Sequence, residues 1–221
     1  MDAVSIIALS MGAAWASGIN LYATLFMLGY MATTGNITLP QQLEVLTNPM
    51  VMTAAGFMYC VEFFADKIPG VDTGWDSIHT FIRIPAGALL AASAIGDVTP
   101  AVELSAAILG GSLAAGSHMT KAGTRLLINT SPEPVSNWSA SISEDLLVIG
   151  GLWMALNYPV LFIIGLIMFI ALMIWLLPRI WQLLTRVFRR IGSCLGLCDP
   201  PQPEVLMTDE SREKNVNQIK T

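Results

Sequence analysis

The stretch EFFADKIPGVDTGWDSIHTFIRIPAG, Glu62 to Gly87, decides how this chain is read. It sets Glu62, Asp66, Lys67, Asp72, Asp76, His79 and Arg83 between two long apolar runs. Ionisable groups beside a bilayer are costly to desolvate, so they pair with one another, line water or do chemistry. This is where function is to be sought, although the stretch by itself names no substrate.

The surrounding composition explains why those charges matter. Of 221 residues, 54% are hydrophobic and only 12% charged, with a mean hydropathy of +0.62. Soluble domains carry about 25% charged residues. Half that share, together with apolar runs of spanning length, predicts an integral membrane protein. The net charge of -5 opposes nucleic-acid binding, which needs a basic face. Cys60 lies in an apolar run and reads as a small packing residue, while Cys194 and Cys198 are too few for a metal site on their own. The start, MDAVSIIAL, has no Lys or Arg, so the first apolar run reads as an uncleaved span rather than a signal peptide.

Six apolar segments follow from the pattern: residues 4–33, 49–66, 80–96, 102–127, 144–157 and 159–178. The third and fifth are short for a bilayer crossing of about 20 residues, so they read as tilted, recessed or not fully spanning. Basic residues alternate between connections: Lys67 and Arg83 after the second segment, Lys121 and Arg125 late in the fourth, Arg179, Arg186, Arg189 and Arg190 after the sixth. That bias predicts both termini in the cytoplasm of a multi-pass inner-membrane protein. Residues 180–191 read as an interfacial amphipathic helix closing a membrane domain over 1–191, and 192–221 as a disordered cytoplasmic tail.

Two stretches resemble each other across the chain. Gly18-Ile19-Asn20 aligns with Gly116-Ser117-His118, and Phe64-Ala65 with Ile68-Pro69 aligns with Met154-Ala155 and Tyr158-Pro159. Three spans per unit would insert the second copy upside down. The expectation is an inverted 3+3 repeat with helices interrupted near Asn20 and His118, as transporters use. The competing reading is plain small-residue packing between helices.

Several residue sets carry candidate chemistry. On a helix, Asp76, His79 and Arg83 share a face, and Glu62 with Asp66 forms another pair one turn apart. These three acids and one imidazole, Glu62, Asp66, Asp76 and His79, are the candidates for proton or ion coupling. Asp72, Asp76 and His79 are the candidate metal ligands. Asp72-Thr73-Gly74 matches the aspartic-protease tripeptide, but that chemistry needs a second copy, which is absent. His118, Lys121 and Arg125 form one stripe that, with Arg83 and Asn20, is the candidate substrate-binding set for an anion, helped by opened backbone at Gly116 and Gly123. The alternative is that these cations simply pair with Glu62, Asp66 and Asp76. Glu103, Glu144 and Asp145 read as helix-start charges.

The runs EFFADKIPGVDTGWDSIHTFIRIPAGALLAA (Glu62–Ala92), GINLYAT (Gly18–Thr24) and HMTKAGTRLLINTSPEPVSN (His118–Asn137) resemble the bacterial membrane family catalogued as domain of unknown function family 4126. The similarity covers about residues 10–150. It implies a compact multi-span membrane protein and carries over no reaction.

The reading is therefore an all-α polytopic membrane protein with about six transmembrane or interrupted helices. The leading functional expectation is a small transporter or translocator for an anionic solute or lipid headgroup, with proton coupling. The alternatives are a membrane-embedded metal-dependent hydrolase and a non-catalytic scaffold. No catalytic residue and no cofactor is assigned. The expected partners are the lipid bilayer, an anionic small molecule or lipid, and a second copy of the chain through Gly/Ala-rich faces such as Gly110–Gly116, which would serve internal packing equally well.

Overall fold

The computed structural model describes residues 2–68, 70–129 and 134–194, without the side chains of Pro134 and of 187–194. The chain divides into two units, Met1–Leu184 and Thr185–Thr221. Among the described residues every regular element is helical: α1 (Ala3–Ile19), α2 (Leu21–Thr33), a 3₁₀ turn (Gln41–Thr47), α3 (Pro49–Ala65), α4 (Val71–Ala94), α5 (Pro100–Ile128), α6 (Pro134–Asn157) and α7 (Pro159–Cys194).

Local chemistry sets the boundaries. Asp2 caps α1, accepting the Ser5 amide at 2.9 Å. Asn20 both ends α1 and starts α2: its backbone is extended (φ -145°, ψ 100°) and its side-chain oxygen accepts the Ala23 amide at 2.9 Å. The predicted first span, 4–33, is thus two helices broken at a capping residue. Asn48 and Pro49 open α3 in the same way, with the proline where its missing N–H is not needed. Gly70, at φ +87°, makes the left-handed turn between α3 and α4 that favours glycine.

Three helices meet almost backbone to backbone. α1 packs on α4, α5 and α6, and α4 lies along α5. A Cβ on Gly18 of α1 would collide with the Ala114 carbonyl and Ser117 Oγ of α5, and one on Gly110 would collide with Ala91 of α4. Gly110 and Gly111, open from sequence to oligomer contact or internal packing, both face the interior, against Ala91 and Ala88. Small residues permit the close approach that membrane helices use.

The distribution of polarity is inverted relative to a water-soluble protein. Phe81 is 83% exposed, while Arg83, two residues on, is 0% exposed. Phe57, Leu104, Ile108, Met168 and Trp181 also face outward, and Glu62, Asp72 and Arg125 face inward. An exterior this apolar suits hydrocarbon rather than water.

Among the described residues α6 and α7 are long and apolar enough to cross a membrane by length and composition. α1, α2 and α3, at 17, 13 and 17 residues, fall short of that test by length, and α4 and α5 by the inverted polarity. α4 and α5 run 24 and 29 residues, but inward-turned charges lower their averages. For the same reason the expected third and fifth segments, 80–96 and 144–157, were drawn too short. They begin at Val71 and Pro134, with Asp72 and Asn137 in their first helical residues turned inward and buried.

Two further expectations change. The sixth segment, 159–178, and the proposed interfacial helix, 180–191, belong to one helix with Pro178 inside it. Ile180 in that stretch is buried against Gly123 of α5. α5 runs unbroken through Gly116 and His118, so the second expected interruption is absent. Met173 occupies the space beside Gly116, and the glycines admit α7 rather than opening the backbone. The expected tail falls mostly on 195–221, Cys198 included, outside the described residues.

Candidate functional site

The charged residues of four helices converge in one buried cluster. α3 contributes Glu62, with Asp66 at its C-terminal cap. Asp72, Asp76, His79 and Arg83 follow one another along the buried side of α4 at spacings of four, three and four. α5 contributes His118, Lys121 and Arg125, and α6 contributes Asn137, Ser141, Glu144 and Asp145. Many of the large apolar side chains of these helices, among them Phe57, Phe81, Leu104 and Leu146, face outward, while the polar stripes face one another.

Three cations organise the centre. Arg83 donates to Glu62 in a short charged contact, to Asp76 Oδ1 at 3.1 Å and to His118 Nδ1 at 3.1 Å. Lys121 donates to Asp66 Oδ2 at 2.7 Å, to the Ile19 carbonyl at 3.2 Å and to Glu62 Oε1 at 3.4 Å. Its ammonium also lies 3.8 Å from Asp76 Oδ1 and 3.6 Å from Glu144 Oε2. Arg125 binds Glu144 through two parallel contacts, 3.1 and 2.7 Å, and spends its other terminal nitrogen on the Asp66 carbonyl and on Asn137. The forked guanidinium matches a carboxylate in a way lysine cannot. Ion pairing with Glu62, Asp66 and Asp76, one of the two alternatives open from sequence, is the arrangement present.

Around this centre lie neutral and outlying groups. His118 Nε2 meets Thr80 Oγ1 at 2.7 Å. His79 bridges the Tyr22 hydroxyl (3.1 Å) and the Trp75 carbonyl (2.9 Å), its ring stacked on Trp75. Asp72 receives the Asn129 amide on both oxygens and the Thr73 and Gly70 amides on one. Asn20, at the break between α1 and α2, donates to Asp145 Oδ1 at 3.1 Å. Lys67 sits over the Phe63 ring and donates to the Phe63 carbonyl and Ser141.

The charges within the ion-paired centre do not balance. Glu62, Asp66, Asp76 and Glu144 face Arg83, Lys121 and Arg125, one more carboxylate than cation. Three of these acids also keep one buried oxygen without a hydrogen-bond partner: Glu62 Oε2, Asp66 Oδ1 and Asp76 Oδ2. All three acids lie within 4 Å of the same ammonium, Lys121 Nζ. Buried acceptors without donors are destabilising by about 1–3 kcal/mol each, so their retention asks for a reason. A proton on one of them would remove the excess charge and supply a donor.

The proposed metal set is not gathered. Asp72 is held by Asn129 and backbone amides, Asp76 by Arg83, and His79 by Tyr22 and Trp75. Among the described residues no group of three His, Cys, Asp or Glu is placed to hold a metal ion. The substrate and coupling sets, by contrast, merge: Arg83, His118, Lys121 and Arg125 interleave with Glu62, Asp66 and Asp76. Asn20 joins only through Asp145, and His79 lies to the side with Tyr22.

Sequence reasoning missed the α6 contribution. Glu144 and Asp145 are not helix-start charges; they lie well inside α6 and face Arg125 and Asn20. Glu103 alone of that group sits in a first turn. The signal was present in Asn137, Ser141 and Asp145, polar at four-residue steps ahead of Val148, all buried. A cleft reaches the cluster. It has a volume of about 240 Å³, and Lys121 and Glu144 form its charged wall, with Thr120, Thr124 and Ser143 beside them.

A protein helical throughout its described residues, with an apolar exterior and a buried, charge-paired interior, is the class these features define. The family model described as domain of unknown function (DUF4126) matches residues 7–179, and the chain belongs to that family. No curated protein and no solved structure matches it.

Proposed function

We propose that this protein is a small multi-pass membrane transporter or translocator whose buried charge cluster carries a proton during its cycle. The observation that carries this reading is the imbalance around Lys121: one carboxylate in excess, with unpartnered oxygens on Glu62, Asp66 and Asp76. A stable ion-pair core has no use for an extra acid, because unpaired buried charge is costly. A site that loads and releases a proton does, and intramembrane carboxylates near fixed cations are where such relays are built. The anionic-cargo branch draws less support, since Arg83, Lys121 and Arg125 each already hold carboxylates.

The topology in this proposal takes α1 with α2 as one interrupted crossing and α3, α4, α5, α6 and α7 as five more. It places the protein in an inner membrane with both termini cytoplasmic, following the Lys/Arg bias. The inverted repeat would pair α1–α4 with α5–α7. The crossing of Gly18 against Ala114 and Ser117 favours it, and the unbroken α5 opposes it.

Reconstitution in liposomes loaded with a pH-sensitive dye tests the reading, with a proton gradient imposed and anions, organic cations and lipid headgroups screened as cargo. Wild type should move protons at least about fivefold faster than empty liposomes with one of these cargoes, and Glu62→Gln should remove the excess. If wild type and an Arg83→Ala, His118→Ala double variant are equally silent across the screen, the transporter reading fails.

A further inference from the structure

Two clefts meet on the face where α6 approaches α5 and α7. The charged one, beside Lys121 and Glu144, shares Leu147 and Phe169 with a second of about 300 Å³. The second is apolar, with Trp15, Phe162 and Leu166 along it and Gly150 and Gly165 opening its wall. Together they form a track with a polar end and a greasy end.

The hydrogen-bond chemistry of the polar end has a sign. Thr120 Oγ1 already donates to the Gly116 carbonyl at 2.8 Å, Ser143 Oγ to the Ser139 carbonyl at 2.7 Å, and Ser117 Oγ to the Trp15 carbonyl at 3.0 Å. A hydroxyl has one proton, so each of these oxygens offers only lone pairs to anything in the cleft. Lys121 is equally committed: its donors go to Asp66, Ile19 and Glu62. Glu144, the most exposed member of the ion-paired centre at 15%, adds a carboxylate to the wall. Apart from the Thr124 hydroxyl, the polar groups of the cleft therefore offer acceptors rather than donors, next to a cluster with a surplus negative charge. Its complement is a group with several N–H donors and a positive charge.

We propose that this track binds a cationic amphiphile from the bilayer, a primary ammonium head on a single alkyl chain. The head sits among Glu144, Ser143 and Thr120, and the chain lies in the groove past Gly150 and Gly165. This rests on the transporter reading above and names the class of its cargo. Arrival of an ammonium at Glu144 competes with Lys121 and Arg125 for the same carboxylate oxygens, which would link cargo binding to the proton on the Lys121 cluster.

Binding can be measured without any gradient, so its failure is separate from failure of proton movement. Labelled dodecylammonium is titrated onto the protein in nanodiscs of zwitterionic lipid, against empty nanodiscs, with dodecyl sulfate, dodecanol and a three-carbon ammonium as competitors. Saturable one-site binding is expected, with dodecyl sulfate and dodecanol at least about tenfold weaker. The three-carbon ammonium should be at least about a hundredfold weaker, because each buried methylene contributes to affinity. Glu144→Gln should weaken binding by about tenfold or more. Gly150→Leu and Gly165→Leu should do likewise by filling the groove, since a Cβ at either position meets nothing within 4 Å and does not force the backbone to move. Dodecyl sulfate competing as well as the ammonium, binding no greater than in empty nanodiscs, or both leucine variants retaining wild-type affinity would overturn the proposal.

Discussion

Replacing Arg83 with methionine removes the cation that holds the centre of the cluster. The side chain is fully buried and its nitrogens contact Glu62, Asp76, His118 and the Gly18 carbonyl. Methionine keeps most of the stem's packing, so the loss is chiefly electrostatic. Removing one partner of a buried ion pair destabilises by about 3–5 kcal/mol, because the other partner stays desolvated and unpaired. Here Lys121 remains 3.4 Å from Glu62 and 3.8 Å from Asp76, which softens the loss and puts the expected value near the lower end, about 3 kcal/mol. That is well above the ~0.6 kcal/mol typical of a hydrogen bond between membrane helices. Equilibrium unfolding in mixed micelles, followed by tryptophan fluorescence, measures it. The cycle is closed by Glu62→Gln and the double variant. The double variant should recover about 1.5 kcal/mol or more relative to the sum of the single changes. A loss under about 1 kcal/mol with strict additivity would refute the argument, since it would mean that water reaches the cluster and screens it.

Two other perturbations probe the framework that positions the cluster. Gly18→Ala forces a methyl group into the Ala114 carbonyl and Ser117 Oγ, atoms of a helix that cannot give way cheaply. A loss of about 2–3 kcal/mol in the same unfolding assay is expected, at the upper end of overpacking effects, and a neutral result would mean that α1 and α5 do not cross there. Asn20→Ala removes both the cap on Ala23 and the donor to Asp145. The combined cost should be about 2 kcal/mol, and amide exchange in the first turn of α2 should rise; unchanged protection at Ala23 would contradict the capping role.

Much of this architecture is visible in the order of residues. The punctuation at Asn48-Pro49, Ile68-Pro69-Gly70 and Asn157-Tyr158-Pro159 places the helix ends, because proline lacks an amide donor and glycine tolerates a left-handed turn. The α4 and α5 faces are also readable, since Asp76, His79 and Arg83, and His118, Lys121 and Arg125, recur at helical spacing. Hydropathy misjudged α4 and α6 because it averages over all sides of a helix, whereas burial acts on one side. The polar starts of α4 and α6, 71–78 and 134–143, therefore fall outside the apolar segments. The break at Asn20 and its absence at His118 follow from contacts: Asn20 finds Ala23 and Asp145, while His118 is held between Thr80 and Arg83 within an unbroken helix.

By itself the order of residues determined a helical, largely apolar chain with ionisable groups gathered near residues 62–83 and 118–125. Composition and periodicity are local quantities, and they suffice for solvent preference and helix faces. Only the tertiary structure decided which acid meets which base: Glu144 reaching Arg125 across 19 residues, Asp66 reaching Lys121 across 55. It also decided that the acids outnumber the bases where they meet. Pairing depends on which faces are packed together, and packing turned inward every charge that the exterior could not hold.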